Sequence, residues 1–298
     1  MLQPPSHARR PTLLIVGCGD IGMRVLRLVQ PRWRVLALTS SPARVPALRA
    51  AGALPLLGDL DAPATLGRLA GLADLVLHLA PPPAQGASDT RTQALLRALA
   101  RGGRVQRLVY ASTTGVYGDC GGAWVDETRA VKPGTDRARR RVDAERRVRW
   151  FGRASGARVT ILRIPGIYAA DRPGGHPRDR LLRGTAVLAS ADDVYTNHIH
   201  ADDLARACVL ALHRGLPQRV LNTCDDSDLM MGDYFDLAAD MGGLPRPPRL
   251  PRDAATQLLS PMLMSFMSES RRMRNDRLKS ELGLRLRYPT VADGLRDT

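Results

Sequence analysis

The clearest chemical signature in the chain is carried by Gly17, Gly19 and Gly22, spaced Gly-x-Gly-x-x-Gly. They follow the apolar run 12–16 and precede a helical pattern through Met23, Leu26 and Val29. A strand, a glycine turn and a helix in that order make a cradle for a pyrophosphate. One glycine permits the turn, the second lets backbone approach the phosphates, and the third lets the helix pack on the strand. The helix N-terminus adds free N–H groups and a partial positive charge. Gly17, Cys18, Gly19, Asp20, Ile21 and Gly22 are therefore expected to hold a dinucleotide. The end of the second strand decides which one, because an NAD site places an acid there against the ribose 2′-hydroxyl. This chain has Thr39, Ser40 and Ser41, with Arg44 nearby and no acid. Hydroxyls and a guanidinium suit a 2′-phosphate, so NADP is the expected cofactor, with NAD still open.

The elements that would position these groups alternate along the chain. Strands are expected at 12–16, 34–39, 54–57, 75–79, 107–111 and 159–163. Helices are expected after the glycine turn, at about 42–51, from residue 61, at 90–101 and at 136–153. This alternation predicts an α/β fold with a parallel, doubly wound sheet and helices on both faces. Ligands of such sheets sit beyond the C-terminal ends of the strands. After residue 165 the alternation weakens. A short strand at 197–200, a helix at 201–212, a last sheet strand at 220–223 and a helix near 234–241 are expected. A proline-rich loop at 245–251 follows, then a short helix capped by Asn275. The organisation expected is a disordered leader at 1–11, a dinucleotide-binding core at 12–165, and a mixed region at 166–298. That region returns to the sheet and forms a small, mostly helical substrate lobe.

Composition narrows the class. The net charge of +15 comes almost wholly from arginine, since Lys132 and Lys279 are the only lysines. The arginines are spread along the chain, the dense run at 137–149 has helical spacing with Asp143 and Glu145 among it, and only 4% of residues are aromatic. A solvated helix face accounts for the run, and no nucleic-acid partner is expected. No apolar run approaches the roughly 20 residues that span a bilayer. The leader lacks an export signal, and four scattered cysteines lack metal or disulfide spacing. The expectation is a cytoplasmic protein with no membrane or metal partner, acting on a small molecule; a homodimer is left open.

Six segments in this order resemble the short-chain dehydrogenase/reductase superfamily, in its extended and atypical branch of NAD-dependent epimerases and dehydratases. They are 17–22, 58–60, 78–80, 112–118, 162–168 and 199–203. The stretch 268–270 and the segment 275–283 look like the end of the branch's nucleoside-diphosphate-sugar epimerases. The resemblance implies a Rossmann-type fold and adds cofactor contacts: Asp59 and Leu60 at the adenine, then Leu79, Ala80 and Pro81, with Ser112 and Pro165. It also implies that Thr113 hydrogen-bonds the substrate carbonyl.

The departures from the family pattern bear on the chemistry. If Glu145 is the acid that follows the family's Tyr-x-x-x-Lys, then Arg141 stands at the lysine and Arg137 at the tyrosine. An arginine stays protonated near neutral pH, so Arg137 cannot serve as a proton donor and acceptor, whereas Arg141 can still offer a fixed charge. Candidates for a substitute acid or base are Tyr117, Asp119, Asp126, Tyr168 and His198, with Tyr117 the first choice because it follows Thr113 closely. Thr196 and Gly166 stand where the family's nucleotide-sugar enzymes carry an arginine and an asparagine, which speaks against a nucleotide-sugar substrate. Arg163, Arg172, Arg178 and Arg180 are unassigned anion contacts. Two readings follow: an NAD(P)-dependent oxidoreductase or epimerase/dehydratase with an atypical proton donor, and a non-catalytic NADP-binding sensor or scaffold.

Overall fold

The computed structural model describes residues 10–296. The expected leader lies outside the described residues through residue 9, and the Pro11 carbonyl already accepts the Arg34 N–H at 3.1 Å. Seven strands form one parallel sheet: β1 (Thr12–Val16), β2 (Arg34–Thr39), β3 (Leu54–Leu57), β4 (Leu75–His78), β5 (Arg107–Thr113), β6 (Arg158–Ile164) and β7 (Arg219–Asn222). Their order is β7-β6-β5-β4-β1-β2-β3. The winding reverses between β1 and β4, the switch point of a Rossmann-type fold, where a crevice opens for a ligand.

Side-chain alternation along the strands divides the core in two. Leu13 and Ile15 point to the face covered by α1 (Asp20–Val29) and α6 (Ala201–Arg214), where they meet Val25, Leu26 and Leu204. Leu14 and Val16 point to the other face, covered by α3 (Thr90–Ala100) and α4 (Asp136–Ser155), where they join Leu95, Val148 and Phe151. Both faces are buried, which is why these strands read as nearly unbroken apolar runs. A third core lies past the C-terminal ends of the strands. It packs α7 (Met231–Gly242) with Tyr168, Leu181 and Val187.

Local departures from expectation have identifiable causes. The helix expected at 42–51 is a 3₁₀ turn, Pro42–Arg44, followed by the short α2 (Val45–Ala50). Pro46 has no N–H to donate one turn back, so a continuous α-helix cannot form across it. The stretch expected from residue 61 is a 3₁₀ helix, Pro63–Leu69. Asn275 precedes a helix (Asp276–Leu282), but its side chain does not cap it. It turns back to donate to the carbonyls of Cys224 (2.9 Å) and Asp225 (3.2 Å) and to the Asp226 carboxylate (2.8 Å). Among the described residues no helix is long and apolar enough to cross a membrane.

Gly17 adopts φ +82°, and a Cβ there would lie 2.5 Å from the Ala80 nitrogen. The glycine turn thus fits against the end of β4 only without a side chain. Gly17→Ala is expected to cost about 1–3 kcal/mol in left-handed backbone strain alone, with the contact against Ala80 added; chemical denaturation of the ligand-free protein checks this.

Candidate functional site

Three adjoining cavities run along the C-terminal edge of the sheet. The first, about 490 Å³, is lined by Gly17, Cys18 and Gly19, by Thr39, Ser40 and Arg44, by Asp59 and Leu60, and by Leu79, Ala80 and Pro81. The second, about 320 Å³, shares Gly17, Gly19 and Leu79 with the first and adds Asp20, Ile21, Ser112, Thr113, Arg141 and Pro165. The third, about 540 Å³, shares Thr113, Arg141 and Pro165 with the second and extends under the lobe. Residues far apart in sequence are thereby brought to one continuous groove, with Thr113 where its last two parts meet.

The first two cavities fit an elongated dinucleotide. A Cβ built on Gly19 would meet nothing within 4 Å, so the space above this turn is open to a ligand. Gly22 lines none of these three cavities; a Cβ there would press on the Cys18 sulfur at 3.1 Å and Ile15 Cγ2 at 3.3 Å, so its part is the close packing of α1 on β1. Arg44 is held at the groove by its Nη2, which donates to the Cys18 carbonyl at 2.8 Å. Asp59 lines the first cavity while its carboxylate also accepts the Asp61 N–H at 2.9 Å. Asp20 places a carboxylate at the start of α1, against the charge of any pyrophosphate. Arg24 at 3.1 Å and Arg172 at 3.3 Å neutralise it.

α4 carries the polar wall next to Thr113. Arg137 and Arg141, one helical turn apart, both line the third cavity. Arg141 donates through Nη1 to the Ala111 carbonyl (2.7 Å) and the Tyr110 hydroxyl (3.1 Å). Arg137 lies over the Phe266 ring at 4.6 Å. Burial pulls its pKa down, and the charge of Glu269 opposes that shift. Glu145 turns inward instead, accepting from the Ser112 hydroxyl (2.6 Å) and from Arg163 Nε (3.1 Å) and Nη2 (2.8 Å).

Tyr117 requires a correction. It is 1% exposed, lies beneath the Arg163 guanidinium, and donates its hydroxyl to Asn222 Oδ1 at 2.8 Å. Burial pushes its pKa up to about 12. The short 3₁₀ turn Thr114–Tyr117 rotates it away from Thr113 and into the core, so it is not placed to donate to a ligand in the groove. Asp119 and Asp126 also lie outside the three cavities; Asp119 accepts the N–H groups of Gly121 and of the distant Ser270, and Asp126 that of Thr128. Tyr168 and His198 do line the third cavity. The Tyr168 hydroxyl donates to the Thr290 carbonyl at 3.3 Å, and burial drives the pKa of His198 down to about 3.

The structure adds a carboxylate that the sequence reading left without a role. Glu269 lines the third cavity, and its Oε2 accepts from Arg271 Nη1 at 2.9 Å. A carbon placed on Gly115 would sit 3.7 Å from Thr113 Oγ1 and 3.9 Å from Glu269 Oε2, so one small group can touch both oxygens. The signal for it was the Ser-Glu-Ser stretch at 268–270, noted for resemblance alone. Among the described residues no group of three or more His, Cys, Asp or Glu side chains could hold a metal ion.

Residues 13–224, which hold the glycine turn, Thr113 and α4, match the model of the NAD-dependent epimerase/dehydratase family. The chain belongs to that family. A conserved protein of unknown function from Silicibacter pomeroyi DSS is similar in structure, with a TM-score of 0.81, 34% identity, and coverage of 96% of this chain and 97% of that one. Protein YeeZ of Escherichia coli K12 is 27% identical over 78% of this chain and 84% of its own length. The dTDP-glucose 4,6-dehydratase DesIV of Streptomyces venezuelae, solved with NAD bound, shares the fold at a TM-score of 0.77 and 23% identity, over 96% of this chain and 95% of its own.

The third cavity is backed by a buried acid. The Asp225 N–H donates to the His198 carbonyl (2.8 Å), and its carboxyl accepts the Ser227 N–H (3.0 Å) while Oδ2 has no hydrogen-bond partner among the described residues. Burial, with Asp226 and Asp203 nearby, pushes its pKa from 3.8 up to about 8. The folded protein therefore keeps a proton that the unfolded chain releases, and stability contributed by this group is lost as pH rises from about 4 to about 8. Asp225→Asn is expected to raise Tm by several degrees at pH 8.5 and to change it little at pH 4, in thermal melts at the two values.

Proposed function

We propose that the protein is an NADP(H)-dependent oxidoreductase that interconverts a carbonyl and a hydroxyl group on a small molecule. The observation that carries this reading is the position of Thr113, shared by the cavity that begins at the glycine turn and the cavity beneath the lobe. When bound, the nicotinamide of the cofactor supplies or takes up a hydride. Among the described residues the Thr113 hydroxyl accepts the Gly115 N–H (3.3 Å) and donates to none, so its proton is free for a substrate oxygen. Arg137 and Arg141 offset negative charge developing on that oxygen in a partly closed site, where such charges act most strongly. Glu269 exchanges the proton that the missing tyrosine would otherwise carry, and Arg271 holds it in place. Four free, scattered cysteines fit a reducing compartment such as the cytoplasm.

The preference for NADP rests on the first cavity. Thr39, Ser40 and Arg44 converge at the end of β2 with no carboxylate there, so a 2′-phosphate meets hydroxyls and a guanidinium. Thr196 and Gly166 leave the third cavity without the arginine and asparagine of the family's nucleotide-sugar enzymes, which supports weak or no turnover of nucleotide sugars.

Two experiments test the reading. Calorimetry should give NADP at least tenfold tighter binding than NAD at low salt. Arg44→Ala should remove that difference, equivalent to about 1.5–3 kcal/mol. Gly19→Val should fold normally and lose both dinucleotides; unchanged affinity would overturn the cofactor site. Reduction of a carbonyl panel with NADPH should fall about 10²–10⁴-fold in Glu269→Gln and strongly in Thr113→Val, with cofactor affinity preserved. Wild-type turnover untouched by both substitutions would place the chemistry elsewhere, and tight NADP binding without turnover would favour a sensor.

A further inference from the structure

The lobe end of the 540 Å³ cavity holds a cation that forms no ion pair among the described residues. Arg180, on α5 (Arg178–Leu182), lies with its guanidinium carbon 4.2 Å from the centroid of Phe235. Its Nε and Nη2 are closed to solvent and have no hydrogen-bond partner. Nη1 is thus the edge open to the cavity, and no carboxylate among the described residues forms an ion pair with this arginine. Of the other arginines lining this cavity, Arg271 pairs with Glu269, Arg141 donates to Ala111 and Tyr110, and Arg137 lies over the face of Phe266 toward the Thr113 end, while Arg183 adds its charge beside Arg180. Burial is the largest influence on Arg180 and pulls its pKa down, with the Arg183 charge adding to the effect. A desolvated, unpaired guanidinium is costly unless something completes it.

A second donor faces the same space. Tyr234 lines the cavity, and its hydroxyl makes no hydrogen bond among the described residues. Burial keeps this phenol protonated well above the ordinary tyrosine range. Its ring is fixed on both sides, stacked at 4.1 Å on His198 and edge-on at 5.0 Å to Phe235. Since Phe235 also underlies Arg180, one aromatic stack fixes both donors.

We infer that Arg180 and Tyr234 form a carboxylate-binding subsite, and that the substrate is a small carbonyl or hydroxy acid. One carboxylate oxygen takes a guanidinium N–H and the other takes the phenol O–H, which matches the two donors in number and kind. Thr196 and Gly166 stand where the family's nucleotide-sugar enzymes carry an arginine and an asparagine, which argues against a nucleoside diphosphate. Arg180, Tyr234 and Thr113 all line this one cavity, so the acid group is assigned to its lobe end and the carbonyl group to the side of Thr113. This assignment of a substrate class rests on the oxidoreductase reading, but its test does not depend on turnover.

The full-length protein, with and without saturating NADP, is titrated calorimetrically with benzoate and 2-oxobutanoate, and in separate arms with inorganic phosphate and UDP-glucose. The two acids should bind saturably. Arg180→Gln should weaken them at least tenfold and Tyr234→Phe several-fold, with partial recovery in Arg180→Lys and no change in Arg178→Gln. Dinucleotide affinity and melting curves should be the same in all variants. Equal acid affinity in wild type and Arg180→Gln overturns the subsite, as does the absence of saturable acid binding. Arg180-dependent binding of phosphate or UDP-glucose in place of the acids overturns the carboxylate class. Acid binding that depends on Arg180 in a protein with no affinity for NADP or NAD supports the subsite and separately removes the oxidoreductase reading.

Discussion

A buried guanidinium holds the groove together. Arg24, one turn into α1 and 5% exposed, binds Asp20 on its own helix, Asp171 in the lobe loop, and Asp202 at the start of α6 at 2.5 Å. Removing such a charge would leave three carboxylates facing one another, a far larger penalty than the loss of any one contact. The neighbouring Arg172 repeats the link, pairing with Asp20 while lining the middle cavity. The glycine turn, the lobe and α6 therefore share one charge balance. Asp20, poorly suited by itself to a phosphate site, is tolerable only inside that balance. Asp203, the next residue after Asp202, is wholly buried and accepts the N–H groups of Arg287 and Tyr288, so this helix start also secures the C-terminal segment.

α4 presents Arg137, Arg141 and Glu145 on successive turns of one face. Glu145 locks this face to the sheet through Ser112 on β5 and Arg163 on β6, both charged partners being almost completely buried. Arg137 and Arg141 are thus carried on a helix held firmly to the sheet, and they bring fixed positive charge to the wall beside Thr113.

The strands and the glycine turn were legible because their signals are local. Each strand buried on both faces must be apolar throughout, and Gly17 is forced by the approach of Ala80. Thr113 and Arg141 were named from the family resemblance, and the fold brings them to one groove from the end of β5 and from α4. Tyr117 was misplaced because nearness to Thr113 in sequence does not reveal which way a 3₁₀ turn rotates a side chain. Glu269 and Tyr234 were out of reach for the opposite reason, and Arg180 stood in the sequence only as one of four unassigned anion contacts. They come from segments remote from Thr113, and only the fold of the lobe brings them to one cavity.

β7 has a consequence for how the molecule is made. It completes the sheet beside β6, yet more than fifty residues separate them, and the lobe loop and α6 lie between. While a nascent chain emerges from the ribosome, the outer rim of β6 carries backbone groups with no ladder partner until residue 222 is free. An unpaired rim of that kind is a template for adhesion to another chain. Productive folding thus requires α6 to dock against the sheet and deliver β7 before a stray strand can occupy its place.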